Sequence, residues 1–298
     1  MDPNEIFMLP DGRLRAGWRL LLFVFFFLIA AKLLQAIAAT FIREPAHIAF
    51  PILLIVTSGA ALAAVCISTW VMMRLLEQGS FSAVGLRIQK GSLPEFGAGF
   101  LLGAGSIATV TCVEWGLGAI HFQASGAAAV SAFRLVLLTA GILALSAPNE
   151  ELLFRGYGFQ RIEEGAGGYV ALVISSVIFG ALHAANPHAT KLSTANTMLA
   201  GVLLSIGYLK TRALWLSIGF HFSWNWTLAL AGLPVSGLDI GHMPWQVLPG
   251  ARPDWVYGGA YGPEGGVVAS AVLIAGSVLL LSRRRKAPAP AFRPDELS

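Results

Sequence analysis

The apolar residues of this chain fall in long blocks, centred on about 17–40, 48–73, 96–119, 133–153, 168–185, 193–209, 213–232 and 266–282. Each block approaches the roughly 20 residues that a helix needs to cross the hydrocarbon of a bilayer. The pattern predicts an all-α fold: a polytopic transmembrane helix bundle of about eight spans. An even count puts both termini on one side of the membrane. Polar residues gather between the blocks. The segment Leu233–Gly266, rich in Gly, Pro and Trp ("GHMPWQVLPGARPDW"), reads as a long external loop with interfacial aromatics, and the tail from Ala287 ("APAPAF") reads as disordered.

Composition agrees with this reading. Of 298 residues, 56% are hydrophobic and only 12% charged, against roughly 25% charged in a soluble domain. Mean hydropathy is +0.70. Asp2 and Glu5 precede the first basic residues and no small-residue cleavage site precedes Phe41, so no removable signal peptide is expected.

Charge adds an orientation. Arg13, Arg15, Arg19, Arg74, Arg87, Lys90, Arg155, Arg161, Lys210, Arg212, Arg283, Arg284, Arg285, Lys286 and Arg293 fall at one set of span ends. Arg43, Arg134, Lys191 and Arg252 fall at the other, and Lys32 lies inside the first span. The more basic side is cytoplasmic by the positive-inside rule, so both termini are placed in the cytoplasm and the chain in the cell membrane. The net charge of +4 then reflects topology and not nucleic acid, and the "RRRK" tail anchors the last helix at anionic headgroups.

Candidate chemistry is sparse. Cys66 and Cys112 lie in separate spans without a CxxC pattern and are expected to be small buried packing residues. Gly99 and Gly103, four apart, fit close helix packing. Lys32 and Glu114 stand near span ends and are expected to snorkel. The remaining ionisable residues within spans are Glu150, Glu151, Arg155, His183 and His221, joined by the amide Asn225. Such residues are functional candidates because charge is costly in hydrocarbon.

Their spacings carry information. Glu151 and Arg155 are i and i+4, so they share a helix face and can pair, while Glu150 is turned from Glu151 by about 100°. His221 and Asn225 are also i and i+4. Pro148 is expected to kink or restart its helix. Counting about 1.5 Å per residue from the turn near Ala166, Glu150 and His183 stand level, about 24 and 25 Å away. From the turn near Thr211, His221 and Asn225 rise about 15 and 21 Å, within a turn or two of that layer.

Three motifs, "EELLFR" (Glu150 to Arg155), "FGALH" (Phe179 to His183) and "HFSWN" (His221 to Asn225), together resemble the CPBP intramembrane proteases. These are the CAAX prenyl endopeptidases and their bacterial relatives, also called the Abi family. The resemblance covers about residues 133–232, flanked by N-terminal transmembrane helices (1–132) and by the external loop, last span and cytoplasmic tail (233–298). It implies an endopeptidase in which Glu150 and His183 activate a water, with His221 and Asn225 stabilising the oxyanion. Glu151 pairs with Arg155 in this reading and Phe179 helps orient His183. A carboxylate in a low-dielectric site suits general-base work near neutral pH, and donors on one helix face suit an oxyanion.

The resemblance leaves the metal open. Glu150, His183 and His221 are adequate zinc ligands. The His-Glu-x-x-His signature of zinc hydrolases is absent, and a metal-free glutamate-activated water is preferred. Implied partners are membrane lipid and a peptide or lipidated-peptide substrate, with no nucleic acid. Two other classes remain open. A proton-coupled carrier could use the same buried residues, but the matched helix breaks of such carriers are not seen. A non-catalytic scaffold or immunity protein explains Glu151 and Arg155 but not the four other polar residues at one level.

Overall fold

A computed structural model describes residues 6–41, 50–125, 129–240 and 243–283. The tail from Ala287 and most of the "RRRK" anchor lie outside these residues. The chain forms α1 (Ala16–Phe41), α2 (Phe50–Leu75), α3 (Ser92–Gly116), α4 (Ala129–Arg155), α5 (Tyr157–Ala166), α6 (Gly168–His183), α7 (Lys191–Thr211), α8 (Trp215–Leu230), the short α9 (Asp254–Tyr257) and α10 (Val267–Ser282). The fold is an all-α helix bundle. Large apolar side chains such as Leu21, Phe25, Leu28, Leu33, Ile274 and Val278 remain exposed along α1 and α10, as a surface solvated by lipid requires.

Each of the eight apolar blocks forms a helix, and these helices differ in length. Among the described residues five helices are long and apolar enough to cross a membrane: Ala16–Thr40, Phe50–Leu75, Ser92–Gly116, Ala132–Ala166 and Lys191–Thr211. Helices α6, α8 and α10 have 16 residues each, or about 24 Å at 1.5 Å per residue, less than the roughly 30 Å of a hydrocarbon core. Their surroundings differ: ten residues of α8 are buried among its neighbours, whereas Val173 and Val177 of α6 and Ile274 and Val278 of α10 are exposed on the lipid-facing surface. Pro148 lies inside the continuous α4 and does not restart it. The polar run after Arg155 forms α5, which extends α4 past a break at Gly156 (φ −81°, ψ −130°).

Close packing sets the position of α8. A Cβ on Gly99 or Gly103 would stand 2.0 Å from the carbonyl oxygen of Leu216 or 2.3 Å from that of Phe220. One on Gly219 would stand 2.2 Å from that of Phe96. Glycine at these positions lets α3 and α8 approach backbone to backbone, as expected for Gly99 and Gly103. Other expectations fail. Cys112 is exposed. Glu114 is fully buried with neither carboxylate oxygen hydrogen-bonded, because its side chain turns into the bundle while its neighbours Val113 and Trp115 face outward.

The external segment is more ordered than its composition suggests. Trp245–Pro249 pairs antiparallel with Ile120–Ala124, Ile120 opposite Pro249, and these strands are named β1 (Ile120–Ala124) and β2 (Trp245–Pro249). Two 3₁₀ turns, Gly259–Tyr261 and Pro263–Gly265, lead into α10. At the opposite end, Arg19 pairs with Glu77 at 2.9 Å and with Glu164, Arg161 reaches Glu77 at 3.0 Å, and Arg212 meets Glu163 at 2.8 Å. Burial pushes the Glu77 carboxyl up, but Arg161, the Tyr157 hydroxyl and Arg19 outweigh it and hold it below the ordinary value.

Candidate active site

Helices α4, α6 and α8 bring Glu150, His183, His221 and Asn225 to one cavity of about 320 Å³. Glu150 Oε2 lies 3.8 Å from His183 Nε2 and 3.7 Å from His221 Nε2. That oxygen is buried and has no hydrogen-bond partner, whereas Oε1 accepts from Ser146 Oγ at 3.2 Å. Separations of this size between polar atoms suit a bridging water. The sequence expectation that these side chains stand level agrees with these distances.

Each imidazole is fixed from behind. His183 Nδ1–H donates to the Phe179 carbonyl at 2.8 Å, since a carbonyl can only accept. His221 Nδ1–H donates to Glu151 Oε1, also at 2.8 Å. Both Nε2 atoms are thereby aimed toward Glu150, the tautomer being set by the bond on the other nitrogen. The Phe179 ring stands 4.5 Å from the His183 imidazole and 6.0 Å from that of His221, centroid to centroid. It therefore touches both.

Glu151 does more than pair with Arg155. Its Oε1 accepts from Arg155 Nη1 at 3.3 Å and from His221 at once. Both Glu151 and Arg155 are 0% exposed, so the charge must be compensated locally. Arg155 also donates to the Gly201 carbonyl at 3.1 Å and stacks over Phe179 at 4.6 Å from the ring centroid. One arginine thus ties α4, α6 and α7 together behind the site.

Glu264 was missed by sequence reasoning. Lying in "GPEGG" of an apparent loop, it carries no periodic or motif signal. Its Oε1 accepts from Trp224 Nε1 at 2.8 Å, and Oε2 from the Ser236 amide at 2.5 Å and hydroxyl at 3.2 Å. Its backbone carbonyl accepts from Asn196 Nδ2 at 2.7 Å. Burial pushes the Glu264 carboxyl above its ordinary value, opposed by these donors and by His183. Glu264 lines a small hollow of about 40 Å³ together with His183, His221, Asn225 and Ser236, so it latches the outer segment to α8 beside the catalytic candidates.

Replacing Glu264 with Ala is expected to leave the Trp224 and Ser236 donors unpaired, at about 1–3 kcal/mol for each buried group. A fall in melting temperature with faster proteolytic cutting between 233 and 266 is the expected readout. Wild-type stability and protease resistance would show that the latch holds nothing.

Among the described residues no group of three or more His, Cys, Asp and Glu side chains is disposed to hold an ion. The 3.7 and 3.8 Å separations exceed the edge of about 3.3 Å implied by tetrahedral zinc with bonds of about 2.0–2.1 Å.

Fold and site together define a polytopic helical membrane protein carrying a glutamate–histidine centre. Residues 132–227 match the family model of the Rce1-like type II CAAX prenyl endopeptidases, so the third of the chain that bears the site is similar to that family. Every motif residue from Glu150 to Asn225 lies within the matched segment. The matched family is one of peptidases, which supports a peptidase role. No curated protein matches the chain.

Proposed function

We propose that the chain is an intramembrane endopeptidase that hydrolyses a peptide bond of a membrane-associated substrate through water activated by Glu150 and His183. The observation that carries this reading is the unpartnered Glu150 Oε2, facing the Nε2 atoms of two histidines on two other helices. Glu151 also keeps one oxygen without a hydrogen bond, but its other oxygen is taken by Arg155 and His221, whereas Glu150 Oε2 faces two imidazole nitrogens at water-bridging distance.

Water bound between Glu150 and His183 gives a proton to Glu150 as its oxygen bonds to the scissile carbonyl carbon. The carbonyl oxygen becomes an oxyanion, stabilised by Asn225 Nδ2–H and by Nε2–H of a protonated His221. Glu151 supports that imidazolium through Nδ1, the arrangement by which a buried carboxylate orients a catalytic histidine. Collapse of the tetrahedral intermediate breaks the C–N bond, and Glu150 returns the proton to the leaving amine. No step requires a metal.

The test is a comparison of membrane peptides from cells carrying the wild-type chain or Glu150→Ala. A cleaved peptide present only with wild type supports the proposal. Identical peptide sets, with both proteins inserted and expressed equally, would refute it.

Two further outcomes follow from this chemistry. Asn225→Ala should lower turnover by about 10²–10³-fold, the usual cost of losing an oxyanion donor; a change below threefold would remove Asn225 from the mechanism. Prolonged chelation of purified protein should leave activity unchanged. About one zinc per chain, lost together with activity in His183→Ala, would replace this mechanism with a metal-assisted one.

A further inference from the structure

We propose that the peptide cleaved at this site is presented at the non-cytoplasmic surface of the membrane, as an exported or surface-anchored segment, and enters past the outer segment 235–240. The inference rests on the endopeptidase reading and adds the side from which substrate arrives.

The basic face is one continuous surface. Ion pairs join the start of α1 (Arg19), a residue two past the end of α2 (Glu77), the last turns of α5 (Arg161, Glu163, Glu164) and the turn between α7 and α8 (Arg212). Lys210 donates to the Leu281 and Arg283 carbonyls at 2.8 and 2.6 Å, adding the end of α10. The positive-inside rule makes this face cytoplasmic.

The site is closed toward that face. Leu152, Tyr157, Phe159, Tyr208, Leu214 and Ile218 are buried in one apolar cluster spanning α4, α5, α7 and α8. The cavity of about 450 Å³ on the basic side, lined by Glu77, Arg87, Gln160, Arg161 and Arg212 among others, shares no lining residue with either site cavity. A cytoplasmic peptide would have to part this cluster.

Toward the other face the site is lined by chain ends. Its cavity reaches Leu54 and Ser58 near the start of α2, Asn186 just past the end of α6, and Val235, Ser236, Leu238 and Ile240 beyond α8. These lie toward the helix ends opposite the basic residues, with Ser58 two turns into α2, while Leu153 and Phe154 in the last turn of α4 line the cavity on its basic side. The topology therefore couples a sealed cytoplasmic side to a cavity walled by outer segments.

Accessibility of single cysteines tests this without any turnover. In a chain with Cys66→Ala and Cys112→Ala, one cysteine is placed at Gln246 (exposed on β2), Ser58 (in the cavity wall) or Gln89 (exposed near the basic face). Intact host cells are treated with a membrane-impermeant maleimide. Gln246→Cys and Ser58→Cys should be labelled in intact cells, and Gln89→Cys only after permeabilisation. Labelling of Gln89→Cys in intact cells would overturn the orientation. Ser58→Cys reached only in inverted vesicles, or from neither side, would overturn the route. Correct labelling with no cleaved peptide would refute the endopeptidase reading alone.

Discussion

Glu150→Gln should lower turnover by about two to four orders of magnitude, the range that a positioned general base supplies, while the protein stays inserted and melts near wild type. The amide preserves the shape of the side chain and an oxygen that can still accept from Ser146 at Oε1. It removes the one property that Oε2 contributes, the capacity to take a proton from water. Little stability should be lost, because Oε2 has no hydrogen-bond partner to lose. The measurement is turnover of an identified substrate alongside thermal unfolding in the same detergent. Retention of more than a tenth of wild-type turnover in a correctly inserted variant would show that another group activates the water.

Much of this site was legible because helices convert spacing into direction. The i, i+4 relation of Glu151 and Arg155 foretold their pairing, and the matched distances of Glu150 and His183 from one turn foretold that they stand level. Long-range partners were not legible. Nothing in "HFSWN" indicates that His221 Nδ1 bonds Glu151, since that contact depends on the rotation of α8, which glycines 99, 103 and 219 set through close approach to α3. Glu264 was hidden for a related reason: its partners lie 28 and 40 residues away, beyond any local pattern. The β1–β2 pairing escaped because five-residue strands with mixed burial lack a period long enough to read. An apolar block does not tell which helix is enclosed: α8 buries ten residues, whereas α6 and α10 keep apolar side chains such as Val177 and Val278 exposed.

Glu151→Gln should fail differently from Glu150→Gln, losing both stability and turnover. Neutralising Glu151 leaves Arg155, 0% exposed, without its counter-charge, a loss of about 3–5 kcal/mol for a broken buried pair. It also removes the anion that holds His221 Nδ1–H at 2.8 Å, so Nε2 is no longer both aimed and charged toward the oxyanion. The two effects can be separated by adding Arg155→Met. With no charge left in the pocket, the double variant Glu151→Gln/Arg155→Met should regain part of the lost stability, as replacement of a whole buried pair by apolar groups often does. Turnover should stay low, because His221 still lacks its carboxylate. Melting temperature and turnover of the two single variants and the double variant decide the matter. Recovery of both quantities in the double variant would mean that Glu151 serves only as the partner of Arg155, and that His221 needs no support from behind.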